Sequence, residues 1–137
     1  MRVRSTKPRD RCGAAVAELA LVLPIFVMLI MGQIESARLG MVAQLLTNAA
    51  RDACRVAAIQ GSTASEVESQ ISGDLAGAGL SMPPVSYTVT SGFDSASFGT
   101  PITVTISVNY KDVSWLPSPY FLKTAVVTGT ATMIKEG

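Results

Sequence analysis

RCGAAVAELALVLPIFVMLIMGQ, residues 11–33, decides how the rest of the chain is read. A basic residue opens it, a glycine stands at position 13, and an apolar run then extends to Met31. Gly13 to Gly32, wound as a helix, spans about 30 Å, the thickness of a bilayer's hydrocarbon core. Pro24 interrupts the run. A proline inside a soluble helix costs about 3 kcal/mol. It is better tolerated in a membrane span, where neighbouring groups re-satisfy the freed carbonyl. The run holds one carboxylate, Glu18, and nothing charged or strongly polar follows until Gln33. A charge at the centre of a span costs roughly 2.5–3.5 kcal/mol unless it finds a partner, so Glu18 is the first candidate for a functional residue.

Upstream of the span, Arg2, Arg4, Lys7, Arg9 and Arg11 face only Asp10. From Ala14 onward the balance reverses, with Arg38, Arg51, Arg55, Lys111, Lys123 and Lys135 against nine acidic side chains. The near-neutral total of +1 therefore hides a basic tail, which reads as a cytoplasmic anchor under the positive-inside rule. Nothing else in the chain supports a nucleic-acid role. Residues 1–12 show no periodicity and are expected to be disordered. At 137 residues there is room for one domain besides the span.

Downstream, the helix is expected to continue. Leu39, Val42, Leu46, Ala49, Ala53 and Val56 recur at alternating steps of three and four, ending at the polar Gln60. Arg38, Gln44, Asn48, Arg51, Asp52 and Arg55 mostly lie off that stripe. Gln60-Gly61-Ser62 supplies a stop. One helix over residues 14–60, about 70 Å long, would be apolar all round in its first half and amphipathic in its second. Thr63 and Glu66 then fit a capping box, and Val67, Ile71, Leu75 and Ala78 share one face of a short second helix. Gly73, Gly77 and Gly79 weaken its end, and residues 81–84, SMPP, break it.

After the break the period becomes two. Val85, Tyr87 and Val89 alternate with polar residues, as do Ile102, Val104, Ile106, Val108 and Tyr110. A last strand over 124–134 places Ala125, Val127, Ala131 and Met133 on one face. Three strands without helices between them predict an antiparallel sheet with one buried face. The domain layout is then 1–13 leader, 14–33 span, 34–60 amphipathic helix and 61–137 an α+β domain outside the cytoplasm.

Catalysis finds little support. The chain contains no histidine, which removes Ser-His and Cys-His chemistry and every His-containing metal site. Glu66, Glu68, Asp74, Asp94 and Asp112 are scattered and read as solvated surface. Residues 73–79, GDLAGAG, lack the preceding strand and the lysine of a phosphate loop. Cys54 reads as a small buried residue rather than a reactive thiol, and Trp115 and Tyr120 as edge-of-core packing. No enzyme activity, cofactor or metal is expected.

Glu18 has two readings. In one it is an interfacial carboxylate at the positive end of a helix dipole. In the other the chain is cut after Gly13, and the new α-ammonium of Ala14, one turn away, becomes its partner. The pattern Gly13-Ala14-Ala15-Val16-Ala17-Glu18-Leu19, between a basic leader and an apolar span, resembles a prepilin peptidase cleavage site. The longer stretch 13–61 resembles the TadE-like family, minor pseudopilins of Tad (tight adherence, Flp pilus) systems. Leu23-Pro24, Glu35-Ser36-Ala37-Arg38 and residues 48–55, NAARDACR, carry that likeness.

The resemblance implies a pilin-like fold, in which the long N-terminal membrane-spanning helix packs on a small antiparallel sheet. It implies cleavage between Gly13 and Ala14 by a prepilin peptidase, with Glu18 the determinant used in assembly. Its implied partners are the bilayer, that peptidase, other Tad pilins or pseudopilins and the assembly platform, with no nucleic acid and no small-molecule substrate. The implied place is the inner membrane, crossed once, with the N-terminus cytoplasmic and the C-terminal domain periplasmic or extracellular. Three alternatives stand beside it: a single-pass anchored structural or binding domain without filament role, a secreted protein with an ordinary signal peptide, and an extracytoplasmic enzyme. The absence of an Ala-x-Ala site after Met31 argues against the second.

Overall fold

Alternation and helical periodicity both reappear in the computed structural model, which describes residues 10–77, 79–80, 82, 84–90, 92–114 and 122–136, with side chains from residue 13 onward. The elements run α1 (Asp10–Ala58), α2 (Ala64–Ala76), β1 (Ser86–Val89), β2 (Pro101–Asn109), α3 (Tyr110–Val113) and β3 (Val126–Ile134). The chain divides into two compact units, Met1–Ile34 and Glu35–Gly137.

Helix α1 begins earlier than the sequence suggests. Residues 10–12, expected to belong to an unstructured leader, already form its first turn. Asp10 opens that turn, where a carboxylate meets the positive end of the helix dipole. Residues 1–9, and with them most of the leader, lie outside the described residues, as do Trp115, Tyr120 and Ala78. From Gly13 to Ile30 every side chain is exposed within the first unit, including Leu21 at 72%, Met28 at 65% and Phe26 at 58%. This helix is long and apolar enough to cross a membrane.

In the second unit the same helix becomes one-sided. Val42, Leu46, Ala49 and Ala53 of the expected stripe are buried and Leu39 and Val56 half-buried, with Ala50, Cys54 and Ala57 buried beside them, while Gln44, Asn48, Arg51, Asp52 and Arg55 face solvent. The helix covers a three-stranded antiparallel sheet of order β1-β2-β3. Ile102, Val104, Ile106 and Val108 of β2 and Val127 and Ala131 of β3 point from the sheet into one core, joined by Val67, Ile71 and Leu75 of α2. Fully burying a side chain of this size contributes about 1.5–3 kcal/mol, so this layer supplies most of the domain's cohesion.

Helix α2 starts as the sequence requires. Glu66 N–H donates to Thr63 Oγ1 at 3.3 Å, and Thr63 N–H donates to the Glu66 carboxylate at 2.8 Å. It ends with Gly79 at φ +73°, where Leu80 N–H reaches the Leu75 carbonyl and Gly79 N–H the Ala76 carbonyl, the paired bonds of a Schellman closure. The strands are slightly shorter than the alternation: Val85 is buried but precedes β1, and residues 124–125 precede β3. Tyr110, expected at the end of a strand, instead starts the single turn α3.

The outer face of the sheet is a field of hydroxyls. In register, Ser86 lies opposite Ser107, Thr88 opposite Thr105, and Thr128, Thr130 and Thr132 continue those rows on β3. Thr103 and Thr132 hydroxyls meet at 2.9 Å, and Ser86 and Ser107 at 3.1 Å.

Candidate functional site

Gly13, Ala14 and Glu18 all lie on α1 and all are exposed. Ala14 and Glu18 are four residues apart, so they share one face of the helix a single turn apart. The bond between Gly13 and Ala14 sits in the first turns of α1 rather than in an extended leader. A peptidase needs an extended backbone at the bond it cuts, so cleavage there requires the first turn to unwind. Glycine at 13 lowers that cost, because it weakens a helix by about 1 kcal/mol relative to alanine. A Cβ at Gly13 would touch nothing within 4 Å, so the glycine is not demanded by packing in this unit. Among the described residues no group hydrogen-bonds the Glu18 carboxylate, and its neighbours Val16, Leu19 and Val22 are apolar and exposed.

Three further features escaped the reading of the sequence. Where α1 enters the domain, Glu35 is 1% exposed, and the buried Tyr110 hydroxyl donates to its backbone carbonyl at 3.0 Å. Arg38 Nε donates to the Val113 carbonyl at 3.0 Å, so the turn α3 holds this end of the helix from two sides. At the other end, Lys135 is 1% exposed and its ammonium donates to the carbonyls of Ala57 and Ile59, at 3.1 and 2.8 Å. Glu136 N–H takes the Ala58 carbonyl between them at 2.9 Å. The orphan carbonyls that end α1 are thus satisfied by the last residues of β3 and its extension.

Between these ends lies Gly129. A Cβ there would collide with the backbone of Leu46 and Thr47, so the helix rests on the strand at that point without a side chain in between. Cys54 is buried as expected, its thiol donating to the Ile102 carbonyl at 3.3 Å. Glu66, Glu68, Asp94 and Asp112 are exposed and Asp74 half-buried, and among the described residues no group of three or more His, Cys, Asp or Glu side chains converges. A groove of about 720 Å³ lies near the end of α1, lined by the charged Asp52, Arg55, Lys135 and Glu136 as well as Ile59, Phe98 and Ile134.

The arrangement therefore defines a class before it defines a family. It is an α+β domain built on the continuation of an N-terminal helix that is long and apolar enough to cross a membrane. Residues 13–55 match the family described as TadE-like protein, the family that the sequence resembles. The match takes in the span, Glu18 and most of the domain half of α1; the sheet lies outside it. No curated protein and no solved structure matches the chain.

Proposed function

We infer that the chain is a minor pseudopilin, acting in assembly of a Tad/Flp-type pilus or a related secretion apparatus. It is a structural subunit rather than an enzyme. It stands in the inner membrane with the basic leader in the cytoplasm and the sheet domain outside. A prepilin peptidase cuts after Gly13, and the new ammonium on Ala14, in this copy or a neighbouring subunit, pairs with Glu18. The observation that carries this reading is the family match over residues 13–55, which opens on an exposed apolar stretch, Gly13 to Ile30, whose one carboxylate falls five residues after the glycine.

The energetics favour association. A lone carboxylate disfavours the bilayer by roughly 2.5–3.5 kcal/mol, and a partner ammonium removes most of that cost. Assembly that brings the two charges together is therefore driven partly by the charge the span could not otherwise carry. N-terminal mass analysis of membrane-purified protein should show a start at Ala14; an intact Met1 sinks the processing step. Glu18→Ala should leave insertion intact while abolishing pilus assembly, and unchanged assembly would overturn the charge-pair account.

A further inference from the structure

The end of α1, the end of β3 and one turn of the loop before β2 share an apolar patch that stands open to solvent. Ile59, Phe98 and Ile134 are 56%, 79% and 63% exposed, and all three line the groove at the end of α1. Single apolar side chains on a surface are ordinary, but three around one groove mark a place where something docks.

Phe98 is the most telling of them. It is second in the turn Ser97–Thr100, which is closed by Thr100 N–H donating to the Ser97 carbonyl at 3.1 Å, and Gly99 follows it at φ +83°. This is a type II turn, whose third residue needs a positive φ and whose second stands at the corner. The turn is also pinned to the end of β3. Gly99 N–H donates to the Lys135 carbonyl at 3.1 Å, and Lys135 N–H donates to the Thr100 carbonyl at 2.9 Å. The backbone thus fixes the root of an aromatic ring that the fold leaves uncovered. Such a ring gives nothing to the core, and its apolar surface is stabilising only when a partner covers it.

Around this apolar centre the groove carries both signs of charge. Asp52 and Arg55 stand on α1 and Glu136 follows β3, and all three are exposed. A partner of a single sign would meet a like charge on one side of the groove. A second copy meets a complementary surface. In a two-fold contact each chain presents the patch that it receives, so Arg55 of one copy can face Glu136 of the other, twice. The same operation lays each Phe98 over the other copy's groove. That groove, at about 720 Å³, has room between Ile59 and Ile134 for a ring from outside.

We infer that two copies of this chain dock through this patch about a two-fold axis. Each Phe98 seats in the groove of the other copy, and each Arg55 faces the other's Glu136. The contact uses residues of the domain alone. It depends neither on cleavage after Gly13 nor on a place in a filament.

The test uses full-length chain in detergent, prepared in light and heavy isotope batches that both carry Phe98→p-benzoylphenylalanine. After mixing and irradiation, adducts of mixed isotope should join position 98 to residues 52–59 or 133–136. No mixed adduct, adducts at other segments, or capture of detergent alone would overturn the docking, as would capture of only a different protein in native membranes. Phe98→Ala removes an exposed side chain without touching the core. It should weaken self-association in sedimentation by about tenfold or more, as loss of a central aromatic anchor does. Arg55→Glu and Glu136→Arg should each weaken association of their own kind, since both put like charges face to face. An equal mixture of those two chains should restore it, because both charge pairs of the mixed dimer are then opposite in sign. A mixture as weak as either variant alone, or a Phe98→Ala chain that associates like the parent, would sink the two-fold arrangement.

Discussion

Gly129 is held to its identity by what lies above it. Because the backbone of Leu46 and Thr47 occupies the place a Cβ would take, a larger residue must push the helix off the strand. Gly129→Ala should cost about 1–3 kcal/mol, as overpacking of a tight core does. Gly129→Val should cost more, both read as a fall in the midpoint of denaturant unfolding. Lys135 is fixed by the opposite need, since its charge satisfies carbonyls that have no helical partner. Lys135→Met keeps the length of the side chain and removes the donors at Ala57 and Ile59. Hydrogen bonds to a charged group are worth about 1.5–3 kcal/mol each, so thermal unfolding should show a loss of at least about 2 kcal/mol. A loss below half a kcal/mol in that variant would show that water replaces the ammonium at no cost.

At the scale of elements, α2 and β1 are joined by Glu68 and Tyr87, whose hydroxyl donates to the carboxylate at 3.2 Å. Partial burial first, and then the Glu68 charge and hydrogen bond, hold the Tyr87 phenol above its ordinary range. The folded state thus binds this proton more tightly than the unfolded chain. Its contribution to stability is complete below the ordinary tyrosine range and is lost as pH rises through the elevated value. Glu68→Gln should move the Tyr87 titration downward, read in ultraviolet difference spectra against Tyr87→Phe. These elements were largely legible in the sequence. The threes and fours of α1, the capping box at Thr63 and the alternation of β2 each express a local rule, and each reappears. The turn α3 was not, because Tyr110 continues the alternation of β2 and only its hydrogen bond to Glu35 shows why the chain bends there. Gly129 and Lys135 are a middle case. Both fall in the inward series 125, 127, 129, 131, 133, 135, so the alternation places them in the core; it cannot say that one meets a helix backbone and the other a helix end. Of the candidate site, residue types and spacing brought out Glu18, since a lone carboxylate in an apolar run is conspicuous without a fold, whereas Gly13 and Ala14 came chiefly from the resemblance to a prepilin peptidase site.

For the molecule as a whole, the exposed apolar half of α1 makes a direct prediction about fractionation. The full chain should remain with membranes after carbonate washing and leave only with detergent, whereas a chain begun at residue 35 should stay in the soluble fraction. Recovery of the full chain in carbonate supernatants would rule out a spanning anchor. The tie between the end of α1 and residues 135–136 bears on the order of events during synthesis. The span is made first, and the helix that follows it waits with its last carbonyls open until the final residues of β3 have emerged. Contacts between such distant parts of a chain form slowly, because a long loop must close before they give any return. The domain therefore closes around the end of α1 only once residues 135–136 are in place: a chain stopped short of Lys135 would leave the carbonyls of Ala57, Ala58 and Ile59 without these donors.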